Sequence, residues 1–411
     1  MVSTRDDLFL PEPEPREVCY TVISVDDHLV EPPHMFEGRL PRDLQERAPH
    51  VVEDADGHQS WEFDGGRYSQ VGMNAIAGRP LGDKRFEPFR FEQMRKGCWD
   101  IGARIHDMDI NGVWGSVNFP SMITGFCGRV FSQCSDPDLG KAVTRAWNDW
   151  LFEEWYSPYP ERIVPLGITY LSDPEFGAQE IYRSAERGFR SVTLPERPHR
   201  LDLPSIFDDY WEPIVRACVD TDTVISLHVG SSGLADFPRA GNTPMGLSAS
   251  LFGQMSLSAC AEWVWSGWAV RYPGVKVAMT EGGIGWVAML IDRFDSITDR
   301  SGYGPDWDIR LADVLRRNFW FCTLDDPSTI DTRHTIGVDH VMVEVDYPHG
   351  DGSWPDTQGV ISEVWGHIPD DELRMICCEN AATLYRHPLP DQVLPERSSG
   401  SGRDERGRDH A

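Results

Sequence analysis

Eight short runs of β-branched and aromatic residues recur between residues 21 and 346, and five of them carry, at the last or next-to-last position, a residue able to bind a metal. They are TVISVDD (21–27), GVWGSVNFP (112–120), RIVPLGI (162–168), RSVTLPE (190–196), TVISLHV (223–229), VKVAMTE (275–281), NFWFCTL (318–324) and HVMVEVD (340–346). Runs that are apolar without alternation are strands buried on both faces. Segments of helical period separate them, and that alternation implies a parallel sheet with right-handed crossovers. Eight such units predict an α/β chain closed into a (β/α)8 TIM barrel. The alternative is an open doubly wound sheet, but no GxGxxG turn follows the first run.

The clearest helix is DPEFGAQEIYRSAERG, with Asp173 as N-cap, Pro174 in the first turn, apolar Ala178, Ile181, Tyr182 and Ala185, and Gly188 at the C-terminus. About 85 residues separate the first run from the second, so a long insertion, at about 34–105, must lie in the first crossover. Within it, residues 78–99 carry Arg79, Lys84, Arg85, Arg90, Arg95 and Lys96. A solvated loop or an oligomer contact explains such a run. A surface that docks a phosphate-bearing substrate arm, through Arg85 and Arg90, is the sharper reading. The ends, 1–17 and 391–411, are rich in Pro or charge and are expected to be disordered, leaving 18–390 as one barrel domain.

With 66 acidic against 38 basic residues the formal charge is −28, which repels nucleic acids and anionic membranes. Nothing approaches a run of about 20 apolar residues, so no membrane span is expected. The N-terminus has acids and prolines where a secretory signal has a basic end and an apolar core. Nine cysteines with no CxxC pair suggest neither a disulfide framework nor a thiolate zinc site. A cytoplasmic chain acting on a small molecule is expected, with homo-oligomerisation left open.

In such barrels the reactive groups stand at the C-terminal ends of the strands. There the sequence places Asp26-Asp27-His28, Glu196, His228, Glu281 and Asp346, the last followed by Tyr347-Pro348-His349. Alternation along a strand puts Asp26 and His28 on one side, a geometry that presents two ligands to one ion, and Asp27 on the other. Asp-x-His alone is weak evidence; its convergence with His228 and Asp346 makes a metal site the favoured reading. Trp286 and Trp354 follow strand ends and are candidates for a substrate pocket, whereas the tryptophans of 146–156 and 260–272 lie on helical segments and read as packing. Gly282, Gly283 and Gly285 read as a tight turn, since no GK[ST] follows to make a phosphate loop.

ISVDDHLVEPP, DMDINGV, SLHVGSS, MTEGGIGW and EVDYPHGDGSWP, in that order, resemble the amidohydrolase-related (amidohydrolase 2) family over about residues 20–388. The resemblance implies a metal-dependent barrel enzyme with Asp26, His28, His228 and Asp346 as ligands. It departs from binuclear hydrolases in having Asp26 for the first His, Glu196 near the bridging Lys position, and Glu281 for the sixth-strand His. Two His and four carboxylates form the ligand inventory of di-iron carboxylate proteins. Some members of the family are described as non-haem di-iron monooxygenases of terpenoid pathways acting on CoA thioesters. The resemblance therefore implies a dinuclear iron monooxygenase, with two Fe ions, an external electron donor and an apolar substrate, in which Glu196 and Glu281 complete or bridge the site. The alternative is a mononuclear Zn2+ hydrolase or non-oxidative decarboxylase in which Glu281 or His349 moves protons and Glu196 is a surface acid.

Overall fold

The computed structural model describes residues 8–80, 88–234, 243–244, 246–324 and 326–396. The eight barrel strands run Ile23–His28, Gly115–Phe119, Ile163–Val164 with Leu166–Gly167, Ser191–Leu194, Val224–His228, Val277–Thr280, Phe319–Thr323 and Val341–Val343. Their neighbours pair in parallel in chain order, as two arcs that meet at the third strand. The break falls at Pro165, which has no N–H to give to the ladder. The ring closes between the eighth and first strands, where Asp346 N donates to Asp26 O at 2.7 Å and His28 N to Tyr347 O at 2.7 Å. The predicted TIM barrel is the observed architecture.

Inward-pointing Ile23, Val25, Val117, Phe119, Val164, Leu166, Val224, Ala278, Cys322 and Met342 fill the barrel as one apolar cluster. A larger cluster lies between the strands and the outer helices, and it takes up Trp147, Trp150, Trp155, Trp263 and Trp268, so these tryptophans are packing as expected. The helix Pro174–Glu186 begins as predicted, with the Asp173 carboxylate accepting from Phe176 N at 3.1 Å. Tyr182, expected on its buried face, instead lies at the edge and donates to Asp220 at 2.6 Å.

The first crossover contains a three-stranded antiparallel sheet, His50–Glu53, Gln59–Phe63 and Gly66–Tyr68, before the helix Ile101–Asn111 returns the chain to the second strand. The expectation of a disordered N-terminal segment is corrected for residues 8–17. Leu10 N donates to Gly78 O, Arg16 N to Ile110 O, and Glu12 takes two bonds from Arg95, so this stretch is tied to the body by hydrogen bonds its composition did not advertise. Residues 1–7 and 397–411 fall outside the described part. No described helix is long and apolar enough to cross a membrane. The nine cysteines are free, and eight of them are buried.

Gly140 lies within the helix Pro137–Trp150, where alanine would ordinarily add about 1 kcal/mol of stability. Here a Cβ would stand 2.4 Å from the Phe131 carbonyl oxygen and 2.9 Å from the Tyr170 ring. Gly140→Ala is therefore expected to destabilise the chain by about 1–3 kcal/mol, measured by denaturant unfolding; a stabilised variant would refute this packing.

Candidate metal centre

At the C-terminal mouth of the barrel the first strand departs from regular alternation. Ile23 and Val25 point into the barrel, so unbroken alternation would send Asp27 inward and turn Asp26 and His28 away. The register against the second strand shifts between Ser24 and Asp27, which is the signature of a bulge. Asp26 and His28 thereby face the mouth. Asp27 turns to accept bonds from the hydroxyls of Ser24 and Ser116 and from Tyr347 N. Burial pushes the Asp27 carboxyl up to about 6 against those bonds and the nearby Arg104. Arg104, itself buried, donates to the carbonyls of His28 and Gly97 and so braces the end of the first strand.

Four strands then bring their terminal side chains together. His28 Nε2 and His228 Nε2 are 3.0 Å apart, and Asp26 Oδ1 lies 3.7 and 3.5 Å from them. Asp346 Oδ1 is 3.5 Å from His28 Nε2, and Glu281 Oε2 is 3.4 Å from His228 Nε2. Two nitrogens each about 2.1 Å from one ion and at right angles to each other would be about 3.0 Å apart. His228 Nδ1 donates to Val229 O at 2.7 Å, so the lone pair of this imidazole is on Nε2, facing the cluster. Both Asp26 carboxylate oxygens are buried with no hydrogen-bond partner, a state that a bound cation would relieve.

The electrostatics point the same way. Burial, followed by the fields of Glu344, Asp346 and Glu281, drives the Asp26 carboxyl well above the ordinary carboxylate range. Burial and then Asp346 and Asp351 do the same to Glu281. Burial holds the His28 imidazole well below its usual value and lowers His228 to about 3. Neutral imidazoles beside crowded carboxyls are the state that a divalent cation converts into a ligand set. The donor set therefore fits a metal ion.

Backbone strain accompanies the site. Glu281 and Asp346 both take left-handed φ values, 59° and 56°, and so does Phe126 at 66°. The Phe126 ring stacks on His228 at 5.5 Å and meets His28 edge-on at 5.8 Å. After Asp346 the chain folds back so tightly that a Cβ on Gly352 would lie 2.7 Å from the carbonyl oxygens of Val345 and Asp346. His349, on this loop, stacks on His28 at 3.9 Å and holds Nδ1 2.8 Å from Asp346 Oδ1 and 4.0 Å from Glu281 Oε1.

Other expected residues stand elsewhere. Glu196 is buried, but its Oε1 accepts from Gly230 N at 3.2 Å and it joins none of the close donor groups of the described residues. Trp286 donates to Gly282 O and packs edge-on against Phe321, while Trp354 donates to Asp107 O and lies under Arg95. Neither lines the 220 Å³ cavity at the mouth. Arg90 reaches Glu53 and Glu92 beside the antiparallel sheet, and Arg85 lies outside the described residues. The glycine turn is a tight turn as expected: Ile284 N–H goes to Asp326 Oδ2 rather than being left for a phosphate. Glu344 was missed. It lines the cavity and accepts from Glu281 N and from Cys322, and its spacing of two from Asp346 was the available signal.

The family model described as Amidohydrolase matches residues 54–387. No curated protein matches the chain. Among solved structures, an amidohydrolase from Mycobacterium avium subsp. paratuberculosis K-10 is 21% identical with a TM-score of 0.72, covering 90% of this chain and 100% of its own. The 5-carboxyvanillate decarboxylase of Novosphingobium aromaticivorans, solved with bound manganese, is 17% identical with a TM-score of 0.62, covering 91% and 100%. The 2,6-dihydroxybenzoate decarboxylase from Rhizobium is 15% identical with a TM-score of 0.59, covering 89% and 99%. These matches, to amidohydrolases and decarboxylases, overturn the expected dinuclear iron monooxygenase. The physical reason is that a count of two His and four carboxylates does not assemble them: Glu196, the intended bridge, is turned to a backbone amide.

Burial raises the Glu196 carboxyl to about 7. Between its unfolded value near 4.5 and about 7 the folded chain binds the extra proton, so this group's contribution is full below pH 4.5 and is lost as pH rises through 7. Glu196→Gln is thus expected to gain stability relative to the parent as pH climbs from 4.5 to 8, read by thermal unfolding. A difference that does not change with pH would contradict that placement. In the cluster itself, His228→Ala is expected to lower bound divalent metal by at least ten-fold at equal free metal, measured by equilibrium dialysis.

Proposed function

This chain belongs to the amidohydrolase family, and from that premise we propose that it is a metal-dependent enzyme catalysing non-oxidative decarboxylation of an aromatic acid. The carrying observation is the Glu281 carboxyl, 13% exposed, held 3.4 Å from His228 Nε2 at the edge of the donor cluster and facing the mouth cavity. Asp26, His28, His228 and Asp346 would hold one divalent ion. When bound, the ion supplies a Lewis acid for the carboxylate and a neighbouring oxygen of the substrate.

The remaining work falls to side chains. Glu281, kept protonated by burial and by the carboxylates around it, delivers its proton to the ring carbon as the C–C bond breaks; the bonding electrons stay on that carbon and carbon dioxide departs. His349 fixes the Asp346 carboxylate through its Nδ1 contact and its stack on His28. Phe126 covers His228 and keeps water from the cluster. The manganese-bound decarboxylases of the same fold support this choice among the family's reactions.

Hydrolysis of a neutral or cationic substrate is the second reading, and one observation favours it. The mouth cavity is lined by Glu281, Asp326, Glu344, Asp346 and Asp351, with no Lys or Arg among the described lining residues. An anionic acid would enter against that field unless the metal offsets it.

Carbon dioxide release from a panel of hydroxybenzoates, with manganese or zinc present, separates the two. Decarboxylation predicts stoichiometric arene and carbon dioxide without oxygen uptake. Turnover of amides or esters with no carbon dioxide from any acid would overturn it in favour of hydrolysis. Glu281→Gln is expected to lower kcat about 10²–10⁴-fold while metal content is kept; loss of metal in this variant would make Glu281 a ligand instead.

A further inference from the structure

Asp26 has two buried carboxylate oxygens, and neither takes a hydrogen bond. His28 and His228 account for the surroundings of Oδ1. A second donor group also includes Asp26: one ligand atom each from Asp26, Cys322 and Glu344, all within 4.8 Å of one another. Their origin explains the convergence. Cys322 points inward from the seventh strand, Glu344 follows the eighth, and Asp26 stands two residues before the end of the first, so three consecutive staves of a closed ring aim at one place. Cys322 Sγ donates to Glu344 Oε2 at 2.6 Å and, more weakly, to Met279 O at 3.6 Å.

We propose that Asp26, Cys322 and Glu344 bind a second divalent cation of the zinc class, with Asp26 bridging it to the ion held by His28 and His228. The site rests on the reading that the first ion is present, and it adds a ligand type the first site lacks. A thiolate sulfur reaches zinc at about 2.3 Å and a carboxylate oxygen at about 2.0–2.2 Å, so a sulfur and an oxygen on one ion lie at most about 4.5 Å apart, close to the 4.8 Å within which these three atoms stand. Sulfur in the set selects zinc over magnesium, calcium or manganese, which prefer oxygen. Binding expels the Cys322 thiol proton to solvent. Glu344 lines the 220 Å³ cavity, which gives an ion a route to the otherwise sealed cysteine.

Charge balance supports two ions. Asp26, Glu344 and Asp346 crowd one another at the barrel mouth. With Glu281 protonated, Asp26, Glu344, Asp346 and the Cys322 thiolate carry four negative charges, which two divalent ions offset.

Cobalt(II) loading of the full chain tests the site, because a thiolate ligand gives cobalt a near-ultraviolet charge-transfer absorption that oxygen and nitrogen ligands do not. The parent chain is expected to hold two cobalt ions and to show that absorption; Cys322→Ser is expected to lose the band and one ion while keeping the other. One ion per chain without the band would overturn the second site and leave the first intact, and no bound ion would overturn both. A band that survives Cys322→Ser would also refute the assignment. The parent spectrum decides the matter even if the variant fails to fold.

Discussion

The constraint on which this structure turns is the meeting of His28 Nε2 and His228 Nε2 at 3.0 Å beside a fully buried carboxylate that has no hydrogen bond. Two neutral imidazoles at this distance can share one N–H···N bond, but that leaves Asp26 unsatisfied, which costs the fold free energy. A cation between them turns all three side chains into ligands. The crowding of Glu281, Glu344 and Asp346 around the same point has the same remedy.

The scaffold holds the donors in place through bonds to their backbone and to neighbouring residues rather than to their ligand atoms. The bulge at Ser24–Asp27 rotates Asp26 and His28 inward, and Asp27, turned outward, clamps the bulge to the second strand through Ser116 and to the closing loop through Tyr347 N. Arg104 ties the His28 carbonyl to the helix of the first crossover. The same loop that carries Asp346 continues into Tyr347, whose hydroxyl donates to Asp107, itself paired with Arg95. Left-handed backbone at Asp346 persists because these bonds over-determine its loop. Seam, site and insertion are thus one mechanical unit.

Much of this was legible in the chain. Eight buried runs predict the barrel because strand and crossover obey local rules, and the ends of those runs predict Asp26, His28, His228 and Asp346 because barrel chemistry stands at strand ends. Asp26 and His28 share a face as expected, but by way of a bulge that counting in twos cannot see. Glu196 carries the same strand-end signal as the others, yet its direction is decided by the Gly230 amide on a neighbouring loop. Trp286 and Trp354 were placed near the mouth by sequence and are held away from the cavity by backbone carbonyls. The reaction was the least legible part. A list of donors is not an arrangement of them, and two histidines with four carboxylates are compatible with several chemistries until the ones that converge are known.

The central claim is that a divalent ion sits among Asp26, His28, His228 and Asp346. Anomalous diffraction from crystals of the chain grown with manganese tests it most directly. A peak is expected about 2.0–2.3 Å from both His28 Nε2 and His228 Nε2 and within bonding reach of Asp26. A barrel mouth without such a peak, with the two imidazoles hydrogen-bonded to each other instead, would contradict it.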